Sequence, residues 1–201
     1  MFDHLTTFFW AIAYILIIIA GYKSRYTKLI SIPYFALFCN FAWEACALLE
    51  TKGNTFTHVI WFFLDSFIII IGFCFLKTNK ERLRFAIKLV AMLIIFKLLF
   101  IIPEMKGAFI SSFVIDFTMS ALFIIQRNKL SSEFRVSIAA ARLAGNICAT
   151  IYYAHQLPVI AIFASLMLIC DSIYLVLCII NWNKNRKTVK YDRKNFRKYF
   201  G

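Results

Sequence analysis

The sequence predicts an all-α, polytopic membrane protein built as a seven-transmembrane-helix bundle. Three observations predict it. Apolar residues fill 62% of the 201 positions and charged residues only 16%, an apolar share above the near-half of ordinary soluble domains. The apolar residues come in blocks of roughly 18 or more, the length that crosses ~30 Å of hydrocarbon. Basic residues collect between the blocks, and chiefly in every second gap.

Taken in order, the first block is Leu5–Tyr22. Asp3 and His4 precede it, where a secretory signal would carry basic residues, so it reads as a retained helix. The second, Leu29–Leu49, contains Pro33 near its start. The third is Thr57–Leu76 and the fourth Leu83–Ile102. Gly107–Gln126, Glu133–Tyr153 and Pro158–Asn181 complete the set. The gaps between them are about 4 to 8 residues, short enough to make sequence-adjacent helices antiparallel neighbours. Residues 1–182 then form one transmembrane domain, and residues 183–201 a basic tail. No internal repeat is evident, and the chain has only six glycines. Both points weigh against the two-halves architecture of many transporters.

The formal net charge of +13 is not a nucleic-acid signature, because its sources alternate along the chain. Lys23, Arg25 and Lys28 fill the first loop. Lys77, Lys80, Arg82 and Arg84 fill the third, and Arg127, Lys129 and Arg135 the fifth. Eight more, from Lys184 to Lys198, lie in the tail. The second and fourth loops hold one each, Lys52 and Lys106, and the sixth none. By the positive-inside rule the N-terminus is outside and the C-terminus cytoplasmic. The tail is a topology signal and solubilising segment, or a dock for anionic membrane headgroups. All six cysteines fall inside spans with no CxxC pair, which indicates buried thiols rather than a disulfide framework or a metal site.

Glu44 lies inside the second block, and Asp65, Asp116, Lys97, Arg142 and Asp171 lie inside others. Ionisable residues at that depth face a cavity or a partner and mark candidate sites. The loop charges set Glu44 and Asp65 in the outer half, Lys97 toward the outer end, and Asp116, Arg142, Asn146 and Asp171 near mid-depth. Asn40 and Glu44 are four apart, so the Asn amide is placed to orient the carboxyl. Trp61 and Asp65 repeat that spacing, as do Arg142 and Asn146; Asp171 and Tyr174 are three apart. Ion pairs of Asp65 and Asp116 with Lys97 and Arg142 are as readily architectural as functional. Asn40 reads equally as glue between helices. Trp10, Trp61 and Trp182, near span ends, read as interface anchors.

Four acids against two bases leave two acids without a cation, and an unpaired carboxyl in apolar surroundings stays neutral. A neutral carboxyl is a proton donor. Aromatic walls stabilise positive charge and a dry cavity keeps a carbocation from being quenched. The pattern therefore points to proton-initiated chemistry on a lipophilic substrate, with no cofactor and no metal. No DDxxD-type run, HExxH or GxSxG motif is present; His4, His58 and His155 lie at block edges, and the seventh block has no lysine.

The run Asn40-Phe41-Ala42-Trp43-Glu44, then Trp61-Phe62-Phe63-Leu64-Asp65, then Asp171-Ser172-Ile173-Tyr174, resembles the small integral-membrane terpene cyclases. These include the cyclases of fungal meroterpenoid and indole-diterpene pathways and bacterial relatives. The N-x-x-W-E element is the more specific piece, and the order and number of spans match along nearly the whole chain. The resemblance implies a seven-helix bundle that cyclises a prenylated, commonly epoxidised, small molecule by protonation. It implies Glu44 as the proton donor, oriented by Asn40, and Asp171 as second acid or final base. Asp65 with Arg142 or Lys97 would brace the pair, supported by Asn146 and Tyr174. Trp43, Trp61, Tyr152 and Tyr174 would shape the folding chain. The residues leave two other classes open: a small proton-coupled transporter, and an assembly subunit whose charges pair with helices of a protein partner not identified by the sequence.

Overall fold

A computed structural model describes residues 2–23, 34–50, 55–74, 76–102, 106–125, 135–155 and 157–200. They form seven helices: α1 (Phe2–Lys23), α2 (Tyr34–Glu50), α3 (Thr55–Cys74), α4 (Asn79–Phe100), α5 (Lys106–Ile125), α6 (Val136–Tyr153) and α7 (Pro158–Phe200). No strand occurs among the described residues. Each helix coincides with one expected apolar block. The first, second and fifth loops, which carry much of the charge alternation, lie outside the described residues.

The helix ends follow local chemistry. Thr78 caps α4, its side chain accepting from the Glu81 amide while the Glu81 carboxylate accepts from the Thr78 amide. Pro158 opens α7, where a missing N–H costs nothing. From Val159 to Phe200 no proline or glycine interrupts that helix, and it runs for 43 residues. The basic tail from residue 183 continues that helix to Phe200.

Helix contacts close a ring in the order α1, α3, α2, α4, α5, α7, α6 and back to α1, with α2 also touching α5 across it. Short loops led to the expectation that sequence neighbours pack together. Only α2–α3, α4–α5 and α6–α7 do so extensively among the described residues, while α1 packs most against α6. The reason is side-chain size. α6 turns Ala139, Ala141, Gly145 and Ala149 inward, and small residues let a facing helix approach closely. A Cβ added at Gly145 would stand 2.7 Å from Trp10 Cδ1.

The inward stripes keep helical period. On α7 the buried positions are Ile160, Ala164, Met167, Asp171, Tyr174 and Cys178, alternating four and three apart. On α1 they are Thr6, Thr7, Trp10, Ala13, Tyr14 and Ile17. Outside, the bundle presents large apolar side chains such as Phe8, Phe63, Phe67, Ile87, Leu98 and Ile162, each more than half exposed. Its interior encloses Glu44, Asp65, Arg142, Asn146 and Asp171. Two segments, Lys106–Ile125 and Pro158–Lys184, are long and apolar enough to cross a membrane by length and composition; His4–Ile19 and Phe56–Ile71 are shorter apolar stretches.

Candidate functional site

The enclosed polar residues form three groups. In the first, Asn40 of α2 donates through Nδ2 to Tyr14 Oη of α1 at 2.6 Å and to Asp65 Oδ2 of α3 at 2.7 Å. One amide thus ties three helices. Asp65 is fully enclosed, and its Oδ1 accepts no hydrogen bond from a described residue.

The second group pairs Glu44 of α2 with His58 of α3. Glu44 Oε2 lies 2.9 Å from His58 Nδ1, with the two side chains 4% and 15% exposed. The imidazole stands between two indoles, its centroid 5.6 Å from Trp43 and 6.0 Å from Trp61. Trp43 is itself fixed, donating through Nε1 to the Ala108 carbonyl at 3.0 Å and Ser111 Oγ at 3.1 Å. Trp61 Nε1 is buried without a hydrogen-bond partner among the described residues.

The third group centres on Arg142 of α6. Its Nη2 donates to Asp171 Oδ1 at 3.2 Å and to Ser120 Oγ at 2.8 Å. Asn146 donates to Asp171 Oδ2 and accepts from Trp10 Nε1 at 3.0 Å. The guanidinium carbon sits 4.3 Å from the Phe123 ring centre and 5.2 Å from that of Trp10, a cation–π arrangement on two sides. Arg142 Nε and Nη1 are buried donors without a protein partner among the described residues. Tyr174 packs on Phe123 with ring centres 5.0 Å apart.

Asp116 joins the groups. It lies within electrostatic range of Glu44, Asp65, Tyr14, Arg142 and Asp171. Four carboxyls and one guanidinium therefore share one interior, and the guanidinium is engaged by one of the four.

Several expectations are corrected by this geometry. Asn40 does not orient Glu44; its amide is spent on Tyr14 and Asp65, and Glu44 is held by His58 instead. Neither Lys97 nor Arg142 bridges Asp65. Lys97 pairs with Glu50 at the end of α2, where half of its side chain is exposed, and so leaves the interior charge balance. Arg142 takes Asp171, the acid expected to lack a cation. Trp10 is not an interface anchor but 5% exposed and bonded inward. Tyr152 is 41% exposed at the end of α6, edge-on to Tyr153, and does not join the groups.

Asp65, Arg142, Asn146, Asp171, Tyr174, Trp43 and Trp61 all line or enter this interior, as their spacing suggested. Sequence reasoning missed His58 and Tyr14. His58, Trp61 and Asp65 are spaced i, i+3, i+7 on one face, and Trp10 and Tyr14 are spaced i, i+4; those intervals were the available signal. Among the described residues no three His, Cys, Asp or Glu side chains are grouped to hold a metal ion, and the six cysteines are free thiols. No family model, curated protein or solved structure matches the chain.

Proposed function

We propose that this protein is a multi-pass integral membrane enzyme, a seven-helix terpene cyclase that starts cyclisation of a prenylated, epoxidised lipophilic substrate by proton donation from Glu44. The observation that carries the proposal is the charge arrangement of the interior: four carboxyls share it with one guanidinium, which pairs with Asp171, while Glu44 is enclosed and, among the described residues, paired to an imidazole. The inside-out surface supports embedding in lipid, since a belt of exposed Phe, Ile and Leu is unfavourable in water and ordinary in hydrocarbon. On this reading the N-terminus faces outside, the α7 extension lies in the cytoplasm, and its basic residues meet anionic headgroups.

The roles of the two acids separate. Asp171 is matched to Arg142 in an ion pair, which suits it to take the final proton. Among the described residues no lysine or arginine pairs with Glu44, and an uncompensated buried charge is costly, so it serves as the neutral acid. Its O–H proton passes to the epoxide oxygen, the C–O bond opens, and alkenes of the prenyl chain attack the cation in turn. Loss of a proton from the last cation ends the sequence. The indoles of Trp43 and Trp61 offer aromatic surface for developing positive charge; among the described residues Trp61 Nε1 and Asp65 Oδ1 have no partner, and they suit a substrate hydroxyl or epoxide oxygen and a substrate hydroxyl, respectively. The N-x-x-W-E resemblance adds the reaction class.

Lipid extracts from cells supplied with candidate prenylated epoxides, with and without the protein, test the proposal by chromatography and mass spectrometry. A new isomer of unchanged mass and altered retention supports it. A proton-coupled carrier is the competing reading, because the polar groups run across the bundle from His58 to Asp171. Substrate-dependent proton flux in proteoliposomes, without a new isomer, favours the carrier.

A further inference from the structure

We infer that His58 is the proton-loading residue of this site, returning a proton to Glu44 after each turnover. The inference rests on the cyclase reading for its purpose, but its geometry stands without a substrate. Glu44 is 4% exposed at the side chain and His58 15%, so the imidazole is the more accessible member of a pair joined at 2.9 Å. His58 lies in the first turn of α3, at the end of the helix, whereas Asp65 lies two turns deeper. Trp43 lies tilted against the ring and Trp61 meets it in a T-shaped contact, so aromatic side chains pack on the imidazole from two helices. The Trp43 contacts to Ala108 and Ser111 hold that frame to α5, so the ring keeps its aim on Glu44.

An acid-initiated cyclisation consumes the donor's proton at one place and releases it at another. Asp171, on α7 and engaged by Arg142 and Asn146, is not bonded to Glu44. A route for return is therefore needed. In the proposed step the Nδ1–H bond of protonated His58 breaks as an O–H bond forms on Glu44 Oε2. The neutral imidazole then takes a proton from water. The titratable groups around the pair are Asp65 on the same helix, Asp116 on α5 and Tyr14 on α1. All three are acids, and each faces Glu44. Imidazole titrates nearest neutral pH of the side chains, which suits both directions of the transfer.

His58→Asn separates relay from positioning, because the Asn amide donates near the Nδ1 position yet carries no exchangeable charge; His58→Gln is the second variant if the first does not fold. The full chain is purified into lipid and the carboxyl C=O band of neutral Glu44 is assigned by its loss in Glu44→Gln. Transfer to heavy water then gives the rate at which that band shifts. The expected result is exchange roughly a hundredfold slower in His58→Asn than in wild type, with recovery on adding free imidazole. Equal exchange rates, or no neutral Glu44 band in wild type, would overturn the inference. Slowed exchange in a protein that cyclises no prenylated epoxide would sink the cyclase reading and leave the relay standing. Normal cyclisation with unchanged exchange in the variant would do the reverse.

Discussion

Arg142 Nη2 donates to Asp171 Oδ1 at 3.2 Å with neither side chain exposed, which joins α6 to α7 through an enclosed ion pair. Removing one partner of an enclosed pair strands the other charge, at a cost of about 3–5 kcal/mol. Arg142→Met and Asp171→Leu are each expected to lower the unfolding midpoint in detergent strongly. The double variant should recover most of the loss, because two apolar side chains replace the pair without leaving a charge. A double variant as unstable as the sum of the singles contradicts this account.

Asn40 gives a second prediction. Its amide bonds Tyr14 and Asp65, and Asn40→Leu removes that shared donor from both, at about 1–3 kcal/mol. Double-mutant cycles should show coupling of about 0.5–3 kcal/mol for Asn40 with Asp65. Asn40 with Glu44, one turn away on the same helix, should be close to additive. Coupling confined to Glu44 would restore the pairing suggested by spacing alone.

Gly145 tests the α1–α6 contact. The Cβ of Gly145→Ala would meet Trp10, whose ring is enclosed and tied to Asn146, so it has no room to move aside. The expected loss is about 1–3 kcal/mol, read as a lowered unfolding midpoint.

The start of α4 predicts a pH response. Hydrogen bonds from the Thr78 amide and hydroxyl hold the Glu81 carboxyl below its usual range. A depressed carboxyl contributes stability that is present above its unfolded value and is lost as pH falls through the lower folded value. Protection of the first-turn amides of α4, taken as exchange relative to the unstructured rate at the same pH, should therefore fall as pH drops below about 4.3. In Glu81→Gln that change should be absent.

The helices were legible because their signal is long-range and redundant: each apolar block is roughly a membrane thickness and each inward stripe keeps its period. Packing order was not. That α1 lies on α6 follows the small inward residues of α6, with Gly145 against Trp10, and no local pattern announces which helix they will meet. The site shows the same division. Spacing brought Asp65, Arg142, Asn146 and Asp171 toward one interior, but which donor reaches which acid is set between helices. Asn40 was assigned to its own-helix neighbour Glu44 and turns out to serve α1 and α3. His58 sat at a block edge and was read as peripheral, although its interval to Trp61 and Asp65 put it on the inner face.

The central claim is that Glu44 gives the proton that starts cyclisation and Asp171 takes one at the end. The most direct measurement is turnover of a prenylated epoxide by Glu44→Gln and Asp171→Asn, each first shown to keep its helical content. Both variants should lose the product isomer, by roughly a hundredfold or more for Glu44→Gln. Product at the wild-type rate from folded Glu44→Gln would contradict the account.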